Sequence, residues 1–184
     1  CVEVHPGEII KLPAWMLDPV ACTGMGMGEP QASLSALVAL HDTLVDRTTG
    51  RARSMVVDDL KAKTLVPILK ENIAAEATVY TDEAGQYRHL ARDFAEHEFV
   101  RHASGEWGRG PVHTNTIEGY FRIFKRGMKG VYQHCAKKHL HRYAAEFEFR
   151  YNNRTANGVD DRGRAAIAIR GVQGKRLKYA NPVL

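Results

Sequence analysis

The chain has 184 residues, 44% of them hydrophobic and 26% charged. That is enough for one domain with a sizeable core, and no apolar run approaches the roughly 18 residues of a membrane span. The net charge of +5 is unevenly divided: residues 1–118 carry 11 Lys or Arg against 17 Asp or Glu, whereas residues 119–184 carry 15 against 4. This asymmetry favours a polyanionic partner, because clustered Lys and Arg release counterions from phosphates, over a basic surface that merely keeps the chain soluble.

Residues 1–34 read as an irregular segment. "CVEV" has the pattern of a short strand, and the stretch after it is rich in Pro and Gly. "GMGMGE" lacks the lysine and following helix of a phosphate loop. "ASLSALVAL" is too short, and wrongly flanked, for a signal peptide. "SALVALHD", the turn "TTGR" and "ARSMVVDD" then predict a hairpin. In "AKTLVPILKENI", Leu65, Ile68, Leu69 and Ile73 recur at helical spacing, with Pro67 expected in the first turn. "ATVYTD" predicts a strand ending in an acid, "GQYRHLARDF" a short helix and "HEFVRHA" a weak strand. Two amphipathic helices follow. One is built on Ile117, Tyr120, Phe121, Phe124 and Met128, and ends at Gly127 and Gly130. The other is built on Ala136, Leu140, Tyr143, Ala144, Phe147 and Tyr151. Residues 156–184 read as a basic tail holding one short helix. The order predicts an α/β fold, a mixed sheet covered by helices, over residues 35–155.

The acids are where chemistry would sit. Asp82 ends its strand, a position that suits either a metal ligand or a cap for the helix expected to begin near Gly85. Glu83, beside it, is expected to point elsewhere. Glu118 lies three residues after Asn115, the spacing of a capping box. Yet it also heads a face carrying Arg122, Lys125 and Lys129, so a metal-binding carboxylate followed by phosphate-gripping cations is the competing reading. Asp58 and Asp59 could join a metal site, but one of them more simply starts the next helix. Two acids fall short of a two-metal site, which needs at least two carboxylates and usually three.

Nine histidines do not make a zinc site. His134, His139 and His141 are joined by no carboxylate and do not form HExxH. They read as part of a basic helix beside a nucleic-acid backbone, or as a solvated face. His102 and His113 flank the loop "ASGEWGRGPV"; His113 is an ordinary loop histidine or a contact to phosphate or metal-bound water. Trp107 either stacks on a base or pins its loop to the core. Cys1, Cys22 and Cys135 form no close pair, which argues against a disulfide framework and fits a reducing cytoplasm.

Taken together, "ATVYTDEAGQYRHL", "HTNTIEGYFRIFKRGMKGVY" and "KKHLHRYAAEFEFRYNNR" resemble the DDE-type transposases of the ISXO2-like group of bacterial insertion sequences, from about Ser35 to Arg154. The resemblance implies a ribonuclease H-like catalytic domain in which three acids hold two Mg2+ or Mn2+ ions at the carboxyl end of a mixed sheet. It places the second acid on Asp82 and the third on Glu118, and sets Asn115 at the family's asparagine. It implies double-stranded DNA as partner (element ends and target), gripped by Asn115, Arg122, Lys125, Arg126 and Lys129, with self-association on DNA in the bacterial cytoplasm. The chain departs from the pattern at the front, where "VEVHPGE" stands in place of "VEVDE". His5 occupies the first acid's position, with Glu8 and Asp18 as substitutes that no spacing supports. An active transposase, a DNA-binding remnant that does not cut, and another ribonuclease H-like nuclease are the three readings this leaves.

Overall fold

The structure, a computed structural model, describes residues 2–4, 41–132 and 135–174. Five strands form one mixed sheet: β1 (Val2–Val4), β2 (His41–Asp46), β3 (Arg51–Val56), β4 (Thr78–Thr81) and β5 (Glu96–Phe99), in the order β3-β2-β1-β4-β5. The predicted hairpin is present as antiparallel β2 and β3; residues 35–40 of its predicted first strand lie outside the described residues. The turn between them is fixed by Asp46, whose carboxylate accepts from the Thr48 amide (2.8 Å) and the Thr49 hydroxyl (2.6 Å). Gly50 closes it with φ +64°, a conformation that favours glycine.

Strand alternation then divides the core. Leu44, Met55 and Val79 face α1 (Ala62–Asn72), whose Leu65 and Leu69 are buried with them, as is Ile73 just after the helix. Val45 and Ala52 face the other way. They pack with Ile117, Tyr120, Phe121 and Phe124 of α2 (Asn115–Gly127) and with Leu140 and Phe147 of α3 (Leu140–Asn152). The result is helix, sheet, helix: the mixed α/β class expected from the sequence.

Several local expectations change. Pro67 sits in the second turn of α1, not the first, so that helix gives up an internal amide hydrogen bond and still buries both flanking leucines. "GQYRHLARDF" forms two 3-10 turns, Gly85–Tyr87 and Leu90–Arg92. Gly127 does not stop its helix, because a π-helical turn, Met128–Tyr132, continues it. A Cβ on Gly127 would lie 2.2 Å from Phe147 Cζ. This glycine therefore lets α3 approach α2 rather than ending it. The tail holds α4 (Asp161–Val172), with Asp160 as its cap: the side chain accepts from the Gly163 amide at 2.7 Å. Among the described residues no helix is long and apolar enough to cross a membrane.

β3 is an edge strand, and α3 covers its open side. Asn152 Oδ1 accepts from the Ala52 amide (2.7 Å) and Asn152 Nδ2 donates to the Ala52 carbonyl (2.8 Å). One turn earlier, Glu148 Oε2 accepts from the Ser54 amide at 2.7 Å. Residues four apart on the helix thus satisfy residues two apart on the strand, which removes a pairing edge from solvent.

Candidate metal and nucleic-acid site

Asp82 follows the last residue of β4, as expected from "TVYTD". Its backbone is set by Thr81, whose hydroxyl donates to the Asp82 carbonyl (2.8 Å) and bonds His97 Nε2 (2.9 Å). Burial holds the His97 imidazole below its ordinary pKa, which favours the neutral ring. Asp82 Oδ1 accepts from the Ala84 amide at 3.2 Å, so one oxygen shapes the turn. Oδ2 has no partner among the described residues.

The first strand does not deliver an acid to this end. β1 is antiparallel to β4, with Val2 opposite Thr81 and Val4 opposite Val79. Its carboxyl end therefore points away from Asp82. The resemblance implied a first acid ending β1 beside the second, whereas the described part of β1, Val2–Val4, has its carboxyl end opposite Val79. His5, Glu8 and Asp18 themselves lie outside the described residues.

At Glu118 the capping-box expectation fails for an identifiable reason. The residue before the helix is Thr114, not Asn115, and no side chain caps the helix amides. The Thr114 hydroxyl donates instead to Glu118 Oε1 at 2.6 Å. With that hydrogen committed, His102 Nε2–H donates to Thr114 Oγ1 (3.1 Å) and lies 3.4 Å from Glu118 Oε1. His102 Nδ1 is buried with no partner among the described residues. The Glu118 side chain remains 47% exposed, and Oε2 has no partner among the described residues.

Glu83 links the two acids. Its carboxylate accepts from the amides of His102 (2.9 Å) and Ala103 (3.1 Å), which holds it below the ordinary carboxylate pKa. The residue next to Asp82 thus anchors the loop whose histidine touches Glu118, so both acids border one loop at the carboxyl ends of β4 and β5. In donor chemistry, two carboxylates with an uncommitted oxygen each suit a hard divalent cation, which takes oxygen ligands and completes its shell with water and phosphate. Among the described residues, no three His, Cys, Asp or Glu side chains converge on one point.

Behind Glu118 the helix surface is cationic. Asn115, Arg122, Lys125, Arg126 and Lys129 are all exposed. At 100° per residue they fall with Glu118 inside one face of about a third of the helix circumference. The four cations make no ion pair with any described residue. The other candidates separate from this site. Asp59 accepts from the Lys61 amide (3.0 Å) and the Thr64 hydroxyl (2.7 Å), and so starts α1. Asp58 is exposed and pairs with Lys137 at 3.6 Å. His113 bonds the Arg47 guanidinium, which also donates to the Pro111 carbonyl; burial and that cation push its pKa down. His139 and His141 lie at the start of α3, and His134 is outside the described residues. Thr114, His102 and Glu83 were not singled out as a unit, since their partners come from separate loops and no spacing relates them.

Comparison with known proteins gives the family. Residues 28–152 match the family described as the ISXO2-like transposase domain. Over 100 residues the chain is 27% identical to an uncharacterized transposase-like protein of Haemophilus influenzae, covering 54% of this chain and 80% of that protein. Over 108 residues it is 30% identical to an uncharacterized protein in transposable element ISH50 of Halobacterium salinarum, covering 58% of this chain and 36% of that protein. No solved structure matches. With the family matched over more than half of its length, the chain belongs to the ISXO2-like transposases.

Proposed function

We propose that this domain performs divalent-metal-dependent phosphoryl transfer on DNA, cleaving strands at insertion-sequence ends and joining them to a target. The observation that carries this reading is Glu118, half-exposed at the head of a helix face whose other charged residues are four exposed cations. Asp82 and Glu118 would hold Mg2+ or Mn2+ through their uncommitted oxygens; bound there, the metal supplies an activated water or 3′-hydroxyl and stabilises the leaving oxygen. Thr114 orients Glu118 by a hydrogen bond to its other oxygen, His102 holds Thr114 in turn, and Glu83 fixes the His102 loop. Arg122, Lys125, Arg126 and Lys129, with Asn115 at the same face, grip backbone phosphates and set the strand's register. The ribonuclease H-like reading is supported by a mixed sheet with an acid at the end of β4 and the Glu118 helix packed on one face. Self-association on DNA, in the cytoplasm, belongs to the same reading.

A second reading has its own support. β1 runs against β4 and brings no acid to Asp82, which favours a family member that binds DNA without cutting it. The two readings are separated with labelled DNA carrying the element's own ends, in Mg2+ or Mn2+. Catalysis predicts cleavage and strand transfer, reduced about a thousandfold by Asp82→Asn or Glu118→Gln. Binding without cleavage, weakened by Lys125→Ala with Arg126→Ala and with a salt slope shallower by about 2, selects the non-cutting reading.

A further inference from the structure

The loop between β5 and α2 carries an indole that packing does not explain. Trp107 is 66% exposed, whereas Tyr120 and Phe124 of the neighbouring helix are buried. Its ring lies 5.1 Å from that of His102, tilted by 41°, and His102 in turn touches Glu118. The indole therefore stands against the site, not in the core. Its loop is braced on several sides. Glu83 accepts the His102 and Ala103 amides, Glu106 accepts the Arg101 amide (3.3 Å), and Arg109 pairs with Glu98 (2.8 Å) and Glu106 (3.2 Å). A second exposed ring lies along the same edge: Phe99 ends β5, with the Arg101 guanidinium 5.1 Å above it.

We propose that Trp107 is a stacking platform for an unpaired nucleobase, belonging to the strand whose phosphate lies at Asp82 and Glu118. This rests on the DNA reading above and deepens it, since the preferred substrate becomes a duplex opened at its reacting end. A braced, exposed indole offers a flat π-face without the cost of ordering a loose loop, and any base can stack on it. The cationic face of α2 supplies the charge complement for the backbone of the same strand. The ring contact with His102 ties the platform to the acid that His102 touches, so a stacked base would register its own phosphate against the site.

The test uses the full chain with Trp15→Phe, which leaves Trp107 as the only tryptophan. It is titrated with a fully paired duplex of the element's end and with the same duplex carrying a few unpaired bases at that end. The opened DNA is expected to quench Trp107 fluorescence and to bind about tenfold tighter than the paired DNA. Trp107→Ala should abolish that preference, and Trp107→Phe should keep part of it, both with an unchanged melting temperature because the side chain is exposed. Equal affinity and equal quenching with the two DNAs overturns the proposal, as does a preference that survives Trp107→Ala. In either case, binding of both DNAs that weakens alike in the Lys125→Ala, Arg126→Ala variant leaves the DNA reading standing. Failure to bind either DNA overturns both.

Discussion

Glu118 and Glu148 stand on successive amphipathic helices packed against the same face of the sheet, in opposite surroundings. Glu118 is half-exposed, hydrogen-bonded by a threonine with a histidine beside it, and has one oxygen uncommitted among the described residues. Glu148 is 5% exposed, and its carboxylate closes the edge of β3 by accepting from the Ser54 amide. Burial outweighs that amide and the nearby Arg53 guanidinium, and pushes the Glu148 pKa up to about 7. Both glutamates lie in the sequence blocks that carry the family resemblance. The difference teaches that a glutamate in such a block can be there for the sheet edge as readily as for chemistry; only its surroundings tell the two apart.

This contrast can be broken by substitution. Glu148→Ala leaves the buried Ser54 amide without its acceptor and removes a carboxylate whose charge acts on the buried Arg53, and should cost about 3 kcal/mol of stability. Glu118→Ala should cost less than about 1 kcal/mol, since the site is open to water. Denaturant titration of the two variants measures both, and similar losses would remove the distinction. Gly127→Ala tests the packing that brings the two helices together. The added methyl meets the Phe147 ring at 2.2 Å, so a loss of about 2 kcal/mol is expected.

A pH dependence is expected as well. Glu148 binds its proton more tightly in the folded chain than in the unfolded one, where a glutamate titrates near 4.5. Its contribution is therefore fully present below about pH 4.5 and is lost as pH rises through about 7. Unfolding measured across that window should show stability falling with pH, and Glu148→Gln should flatten the fall. A stability that rises over the same window in the unmodified chain, with no change in Glu148→Gln, would place the carboxylate in a polar setting that the packing does not show.

The hairpin, α1 and the apolar stripe of α2 were legible because each is a local pattern, alternation or helical spacing around a turn. Asp82 was legible for the same reason, as the residue where an apolar strand stops. The capping box misled because Thr114 and Asn115 are both good cap residues, and the choice was made by His102, twelve positions before Thr114 and brought in by the β5 turn. Glu148 and Asn152 read as ordinary helix residues; their role needs the knowledge that β3 is an edge. Gly127 read as a helix stop, since nothing local announces that Phe147 lies against it. The direction of β1 was beyond reach, because three alternating residues fit a neighbour equally well either way.

The central claim is that Asp82 and Glu118 serve one ion, and Mn2+ binding by titration calorimetry tests it most directly. The unmodified chain, Asp82→Asn, Glu118→Gln and the double variant form a complete cycle. If the carboxylates share an ion, each single change should weaken Mn2+ by about tenfold or more, and the double change should weaken it by clearly less than the product of the two. Unchanged binding in either single variant, or strictly independent effects in the double, would contradict a shared site.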